Sequence, residues 1–244
     1  NTINMKKILL SLAMLFPVCY SFGQKLQLND LGYYEERGVN ILVYSNQYNG
    51  MFFDEKTAGI EMIHHGVRTV TGGAVRLQNT PEQWDLVPTV VSRKINADKS
   101  IEVELRYPDY DFNSRLKVFP KDAGFIVEVY LDKEMPEELT DKAGFNLEFL
   151  PSAYFEKSYM ADGKPNYFPR YPAGNTIVKP ITDKIPQIFG HTTFDDRGRG
   201  EYLVPLPLAT GKEFVLAPED AERTVTIKSE TTLSLYDGRN LAQN

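Results

Sequence analysis

The sequence predicts an all-β protein, an antiparallel β-sandwich that is supersandwich-like and has little helix. Several segments alternate apolar and polar residues with period two, as half-buried strands do. No segment keeps the apolar spacing of three and four residues that an amphipathic helix shows. The 244 residues include 15 prolines, which suit strand ends and loops better than helices. We expect residues 24–244 to form one sandwich domain.

The strand pattern is clearest at 100–107, where apolar residues from Ile101 to Tyr107 alternate with charged ones. Turn sequences at 96–99 and 121–124 predict hairpin turns between such strands. Met135–Leu139 is expected to form a single helical turn. The predicted strands are 40–44, 87–91, 100–107, 115–119, 124–131, 145–150, 213–217, 223–227 and 232–236.

A long connection is predicted over residues 154–186, which are rich in proline, tyrosine and glycine. Loops of this length inside compact domains are usually functional or covered by a partner. Arg170 and Tyr171 lie between two prolines in this segment, where they could be presented to a ligand. The alternative is a rigid plug that docks on a neighbouring domain.

The N-terminal segment predicts export. Met5-Lys6-Lys7 precedes an apolar run from Ile8 to Val18, and the small residues Ser21 and Gly23 follow. This is the layout of a secretory signal peptide over residues 1–23. The apolar run is shorter than the about 20 residues of a membrane span. We expect cleavage after Gly23 and a mature protein in the periplasm, at the cell surface or secreted, without a membrane span.

The one cysteine, Cys19, lies within this signal. Phe16-Pro17-Val18 before it fit a lipid-attachment signal poorly, so ordinary cleavage is preferred to lipidation. The mature chain would then have no disulfide, thiolate nucleophile or cysteine-ligated metal. A domain of this length buries about 70% of its unfolded surface, so its stability would come from the core.

The net charge is −6 without long runs of one sign, which argues against a nucleic-acid partner because such proteins carry a basic face. The chain has 14 tyrosines, 14 phenylalanines and one tryptophan. An exported, mildly acidic, tyrosine-rich chain suits contact with neutral polymers such as glycans. No G-x-S-x-G elbow, phosphate loop or dinucleotide fingerprint is present, so no cofactor is expected.

The chain has three histidines, His64, His65 and His191. Neighbouring residues of a strand point to opposite faces, so the adjacent pair cannot both bind one metal without a twist. Their spacing therefore predicts no metal site. One interpretation places one histidine of the pair in the core and the other in a loop. The alternative is that His65 or His191 lines a sugar cleft as a general base.

Two other segments carry candidate groups. Residues 190–201 concentrate charge and three glycines around His191, which suits either a functional Asp196–Arg197 ion pair or a hairpin with a structural salt bridge. Trp84 follows polar residues, and an exposed indole can stack on a pyranose ring, although a single tryptophan more commonly packs in a core. The candidate carbohydrate-binding residues are Trp84, Arg170, Tyr171, His191 and His65.

Five stretches together resemble a known family. They are 44–66, which begins Tyr44-Ser45-Asn46-Gln47-Tyr48-Asn49-Gly50, and 76–85, 145–156, 191–200 and 237–244. They resemble the N-terminal module of large exported glycoside hydrolases of the family 9 type from gut-dwelling Bacteroidetes-like bacteria. The likeness covers nearly all of the mature chain.

This resemblance implies that an immunoglobulin-like domain and an (α/α)₆-barrel catalytic domain follow, so that the chain is the N-terminal fragment of a larger enzyme. The catalytic domain of that family carries an Asp-Ala-Gly-Asp motif and a distant glutamate. The chain has no such motif, and no catalytic residue is carried over.

Three functions remain as alternatives. The first is a non-catalytic module that assists glycan binding or braces the catalytic domain. The second is a mutarotase-like enzyme in which His65 or His191 acts with Glu148 across a cleft. The third is a purely structural domain. A glycosidase pair cannot be chosen among 33 acidic residues, because their separation in space defines the mechanism.

Overall fold

The computed structural model describes residues 25–45, 59–77, 86, 88–140, 143–171, 176–180, 192–194 and 200–239. Most of this part is strand, and its helical segments are α1 (Pro151–Tyr154) and 3₁₀ turns at Pro108–Tyr110 and Glu137–Leu139. The strands are β1 (Gln27–Leu28), β2 (Tyr34–Glu36), β3 (Val39–Val43), β4 (Ile60–His64), β5 (Val67–Leu77), β6 (Thr89–Ile95), β7 (Ile101–Tyr107), β8 (Phe112–Lys121), β9 (Gly124–Leu131), β10 (Ala143–Phe149), β11 (Ser158–Ala161), β12 (Lys164–Tyr167), β13 (Thr176–Pro180), β14 (Thr192–Phe194), β15 (Gly200–Pro205), β16 (Ala209–Leu216) and β17 (Val225–Leu235).

Two antiparallel sheets form a sandwich. Sheet I has the order β1-β2-β3-β4-β5-β10, and sheet II has the order β6-β7-β8-β9. Ile41 and Val70 of sheet I and Leu105 and Leu116 of sheet II belong to one buried cluster. The period-two pattern of β7 has its expected cause, since its apolar positions are buried and the positions between them are more exposed. The predicted all-β fold is confirmed.

Two buried tyrosines cross the sandwich in opposite directions. The hydroxyl of Tyr34 in β2 lies 2.8 Å from the carbonyl oxygen of Lys99 and 2.9 Å from that of Val118. The hydroxyl of Tyr107 in β7 donates to the carbonyl of Val75 at 2.7 Å. Burial raises the pKa of Tyr34 to about 12. The phenol of Tyr34 therefore stays protonated, and the hydroxyls of Tyr34 and Tyr107 both link the two sheets.

A second apolar cluster lies under sheet III, whose strand order is β12-β11-β16-β17. Sheet IV has the order β13-β15-β14. Phe149, at the end of β10, packs against both apolar clusters. The next residue, Leu150, donates its backbone N–H to Thr69 at 2.9 Å. The chain therefore passes from sheet I to sheet III at this point. The assignment of 24–244 to one domain stays a prediction.

The hairpin predictions hold best. Strands β7 and β9 match the predicted segments 100–107 and 124–131 almost residue for residue, and β8 contains the predicted segment 115–119 but extends beyond it at both ends. The turns between strands contain Lys99 at φ 64° and Asp122 at φ 52°, in the left-handed region that tight turns need. The expected single helical turn is the 3₁₀ segment Glu137–Leu139.

Other predictions were wrong. Segments 223–227 and 232–236 are one strand, β17, and residues 154–186 contain the β11–β12 hairpin and β13 rather than a single loop. The predicted strand 87–91 lies at Thr89–Ile95. Strands β4 and β5 were missed because residues 60–62, 64 and 69–76 are buried. A strand covered on both faces shows no alternation.

Replacement of Tyr34 by Phe should lower the free energy of unfolding by about 1–3 kcal/mol, because two carbonyls lose their shared hydroxyl. Tyr44 is the matched control: it is equally buried, and its hydroxyl has no hydrogen-bond partner among the described residues. Tyr44→Phe should leave stability unchanged or raise it by about 1 kcal/mol. Urea denaturation of both variants measures the difference, and equal losses would contradict this account of the two hydroxyls.

Candidate functional site

Arg170 and Tyr171 are both exposed at the end of the segment that follows β12. Tyr171 is 73% exposed, and the Arg170 guanidinium carbon lies 5.8 Å from the centre of its ring. Among the described residues Arg170 has one ion-pair partner, Glu156, whose Oε1 is 3.9 Å from Arg170 Nη1, and both of these side chains are more than half exposed. Such a pair is worth little in water. We call Arg170 and Tyr171 the Arg–Tyr surface.

The residues just before this surface anchor it. Phe168 turns inward, with its ring centre 4.7 Å from that of Tyr159 and 6.4 Å from that of Tyr154. Its backbone N–H donates to Lys157 at 2.8 Å. Tyr167 points the other way and is 68% exposed. The segment therefore has one partly buried aromatic side chain, Phe168, between two exposed ones.

Arg239 holds the same segment from the other end of the described chain. Its Nη1 donates to the carbonyl of Arg170 and its Nη2 to the carbonyl of Pro169, both at 2.7 Å. Its Nε and Nη2 also bind the two carboxylate oxygens of Asp237 at 2.9 and 2.8 Å. These hydrogen bonds to Asp237 raise the pKa of Arg239.

His65 lies elsewhere, in the β4–β5 turn. It has φ 49°, and its N–H donates to the carbonyl of Gly38 at 2.5 Å. A Cβ on Gly38 would lie 2.6 Å from His65 Nδ1, so the imidazole packs directly on this glycine. Gly38 belongs to a shallow, polar groove of about 320 Å³ lined by Lys25, Gln27, Glu35, Glu36, Arg37, Gly38 and Asn40.

The remaining candidates, Trp84 and His191, lie outside the described residues, as do Asp196 and Arg197. The strands on either side of 195–199 pair as an antiparallel hairpin, with Phe194 opposite Gly200. The structure thus brings Arg170 and Tyr171 together. Among the residues described, no hydrogen bond or ion pair joins them to His65.

Glu148, the proposed partner of a catalytic histidine, is bound to an arginine. Its Oε1 lies 2.7 Å from Nη1 of Arg76, whose side chain is almost fully buried. Glu148 pairs in register with Thr71, six positions along the chain from His65. At about 3.3 Å per strand residue, these six positions correspond to roughly 20 Å of backbone. This geometry argues against a His65–Glu148 catalytic pair.

Sequence reasoning missed this pair of a buried arginine and a partly exposed glutamate, although Gly72-Gly73 was a signal for it. The guanidinium of Arg76 lies directly on Gly72, where any Cβ would collide with it, and Gly72 has φ +65°. A glycine is required there for both reasons. Arg76 and the buried Tyr107 also lie close enough to Tyr44 to affect its pKa, which burial raises well above the ordinary value.

A second polar cluster covers the outer face of the β4–β5 hairpin. Buried Glu61 accepts hydrogen bonds from Arg68 at 3.0 Å and from Thr71 at 3.2 Å. His64 is buried, with Nδ1 2.7 Å from the Thr69 hydroxyl. Burial lowers the pKa of His64, and the nearby positive charge of Arg223 lowers it further.

Neither polar cluster has the ligand set of a metal centre: among the described residues, no three His, Cys, Asp or Glu side chains converge on one point. The helices in that part of the chain are also too short and polar to cross a membrane. No model of a known protein family matches the chain, and no curated protein or solved structure is significantly similar to it.

The lowered pKa of His64 predicts a loss of stability in mild acid. The unfolded chain binds the extra proton first, at about pH 6.5, so the stabilisation is complete above that pH and is lost as pH falls toward the lower folded value. The free energy of unfolding should therefore fall between pH 7 and pH 5, and less steeply in His64→Asn. Urea denaturation at several pH values tests this. His65→Asn, at the exposed neighbouring position, keeps His64 and should retain the fall in stability. The same slope in all three proteins would exclude His64 as the cause.

Glu148→Ala should destabilise the fold by roughly 3 kcal/mol, because it removes the carboxylate oxygen that lies 2.7 Å from Nη1 of the buried Arg76 guanidinium. Glu230→Ala removes an exposed carboxylate and should change stability by less than about 0.5 kcal/mol. Thermal unfolding compares them. If Glu148→Ala melts like the parent, the ion pair is not structural and Glu148 returns as a catalytic candidate.

Proposed function

We propose that the chain is a non-catalytic β-sandwich module of an exported, polysaccharide-degrading glycoside hydrolase, and that it contacts glycan through the Arg–Tyr surface. The observation that carries the proposal is the exposed ring of Tyr171 beside the Arg170 guanidinium, on a backbone held by Arg239. Pyranose faces are apolar C–H surfaces that stack on aromatic rings. A few polar groups at the edge of such a ring then fix the orientation of the sugar.

Two features of the sequence support the wider context. The basic and apolar N-terminal segment favours export, where polysaccharide substrates lie. The resemblance to family 9 glycoside hydrolases favours a role beside an immunoglobulin-like and a catalytic domain of the same polypeptide. The engagement of Glu148 by Arg76 favours the non-catalytic function over a mutarotase-like enzyme.

A bracing role is the second candidate, and one observation favours it. Val129 and Leu131 of β9 pair with Leu116 and Ser114 and therefore share their core-facing side. They are nevertheless 38% and 42% exposed, whereas Leu116 and Ser114 are buried. A neighbouring domain that covered this end of β9 would remove apolar surface from water.

The proposal predicts that the purified chain binds soluble β-glucan or xyloglucan without hydrolysing it. Tyr171→Ala and Arg170→Ala should each weaken binding about tenfold, equal to about 1.4 kcal/mol, with an unchanged melting temperature because both side chains are exposed. Affinity electrophoresis or calorimetry measures binding, and a reducing-sugar assay measures turnover.

Tyr130→Ala is the matched control, since Tyr130 is a partly exposed tyrosine on β9 of sheet II and its loss should leave affinity intact. Glycan binding that survives Tyr171→Ala would exclude the Arg–Tyr surface. A parent chain that binds no glycan would leave the bracing role as the better account. Turnover that depends on one of the chain's own carboxylates would overturn the non-catalytic assignment.

A further inference from the structure

One guanidinium makes all the polar contacts that hold the backbone under the Arg–Tyr surface to the C-terminal part of the described chain. Arg239 donates to the consecutive carbonyls of Pro169 and Arg170, each at 2.7 Å. These residues follow β12 and belong to no strand. Their carbonyls therefore have no sheet partner of the kind that fixes a strand, and the guanidinium supplies one.

The geometry assigns Arg239 as the positioning residue of the Arg–Tyr surface, with Asp237 as the residue that orients Arg239. The assignment of a sugar-binding role to that surface rests on the proposed function. The positioning role itself rests only on the contacts of Arg239.

We call the hydrogen bonds from Arg239 to the Pro169 and Arg170 carbonyls the clamp, and Asp237 makes it rigid. Its side chain is only 5% exposed, that of Arg239 is 19% exposed, and the pair is bidentate through Nε and Nη2. The Asp237 carboxylate also accepts the backbone N–H of Arg239 at 3.1 Å. With one edge of the planar guanidinium fixed in this way, the opposite N–H groups can point only toward the Pro169 and Arg170 carbonyls.

The chemistry requires arginine. A guanidinium presents five N–H donors in a fixed plane, whereas a lysine ammonium is a compact charge on a flexible stem. An ammonium at position 239 could keep the attraction to Asp237. It could not span the carboxylate and two carbonyls at the same time. Arg239→Lys thus preserves charge and removes the fork.

A fixed backbone matters for weak glycan contacts. A loop that is ordered before binding does not lose conformational freedom when the ligand arrives, and preorganisation of this kind raises affinity without any new contact. The hydrogen bond from Arg239 to Arg170 goes to the backbone carbonyl, so Arg239 acts on the ring of Tyr171 through the chain rather than through the ligand.

Trypsin cleavage after Arg170 tests the clamp without any glycan. The Arg170 side chain is 62% exposed, so the protease can reach it, and cleavage is limited by how readily the backbone leaves its anchors. Mass spectrometry of timed digests should show cleavage between Arg170 and Tyr171 at least about tenfold faster in Arg239→Lys than in the parent. Asp237→Asn, which keeps the guanidinium but weakens its orientation, should give an intermediate rate.

Arg115→Lys is the matched control, because Arg115 forms an ion pair with Glu102 on sheet II at 3.1 Å. It should cleave after Arg170 at the parent rate. Parent-like cleavage in Arg239→Lys and Asp237→Asn would overturn the positioning role. If Arg239→Lys loses its fold and is cut at every site, Asp237→Asn decides the question. Faster cleavage confined to Arg170 in Asp237→Asn would support the positioning role, and parent-like cleavage would overturn it.

The binding assay separates this inference from the proposed function. Glycan affinity should fall in Arg239→Lys by a factor similar to that in Tyr171→Ala, while Arg115→Lys binds like the parent. If the parent binds no glycan but Arg239→Lys is still cleaved faster after Arg170, the positioning role is supported and the sugar-binding function is rejected. If Arg239→Lys is cleaved faster after Arg170 but binds glycan as tightly as the parent, the Arg–Tyr surface needs no preorganisation. That result would overturn the inference as it applies to binding.

Discussion

The packing of sheet I on sheet II is the constraint on which the rest of the structure depends. The alternate residues of β7 that face sheet I, from Ile101 to Tyr107, are at most 1% exposed, and their burial is the main favourable term for a sandwich. Apolar packing alone tolerates small slips between sheets. The hydroxyls of Tyr34 and Tyr107 limit such slips, because each reaches a backbone carbonyl of the opposite sheet. The two tyrosine hydrogen bonds and the apolar packing therefore fix sheet I relative to sheet II.

Residues 149–157 connect sheet I to sheet III, and their contacts position sheet III. We call these residues the junction. Phe149 packs against both apolar clusters, and Tyr154, at the end of α1, donates to the carbonyl of Arg223 at 3.1 Å. Lys157 adds an ion pair to Asp220 at 2.6 Å. These contacts join residues more than sixty positions apart, so the junction forms only when both segments have folded. The Arg–Tyr surface lies beyond it, at the end of β12.

The sequence was most informative in sheet II, where one face of a strand is buried and the other is more exposed. The alternation in β7 and the turn at Asp122 identified the hairpins of sheet II. Strand β5 was not predicted, because most of it is buried on both faces and its sequence therefore shows no alternation. The same contrast applies to the site. The proline- and tyrosine-rich context of Arg170 and Tyr171 indicated exposure, whereas the partners of Arg76 and Arg239 are 72 and 69–70 positions away. With 27 basic and 33 acidic residues, sequence alone cannot pair them.

Arginine forks give this chain long-range ties that cysteine does not supply. Arg93 donates to the carbonyls of Val43 at 2.7 Å and Gly32 at 2.5 Å, and burial lowers its pKa. Arg239 repeats the pattern on Pro169 and Arg170. Each guanidinium donates to two backbone carbonyls far from it in the sequence and so satisfies polar groups of the main chain. Arg170 differs from both, because its only described charged partner is a carboxylate 3.9 Å away in solvent. A guanidinium that is used in this way elsewhere for structure is at position 170 exposed, weakly paired and next to an open aromatic ring, which is the arrangement that a ligand can use.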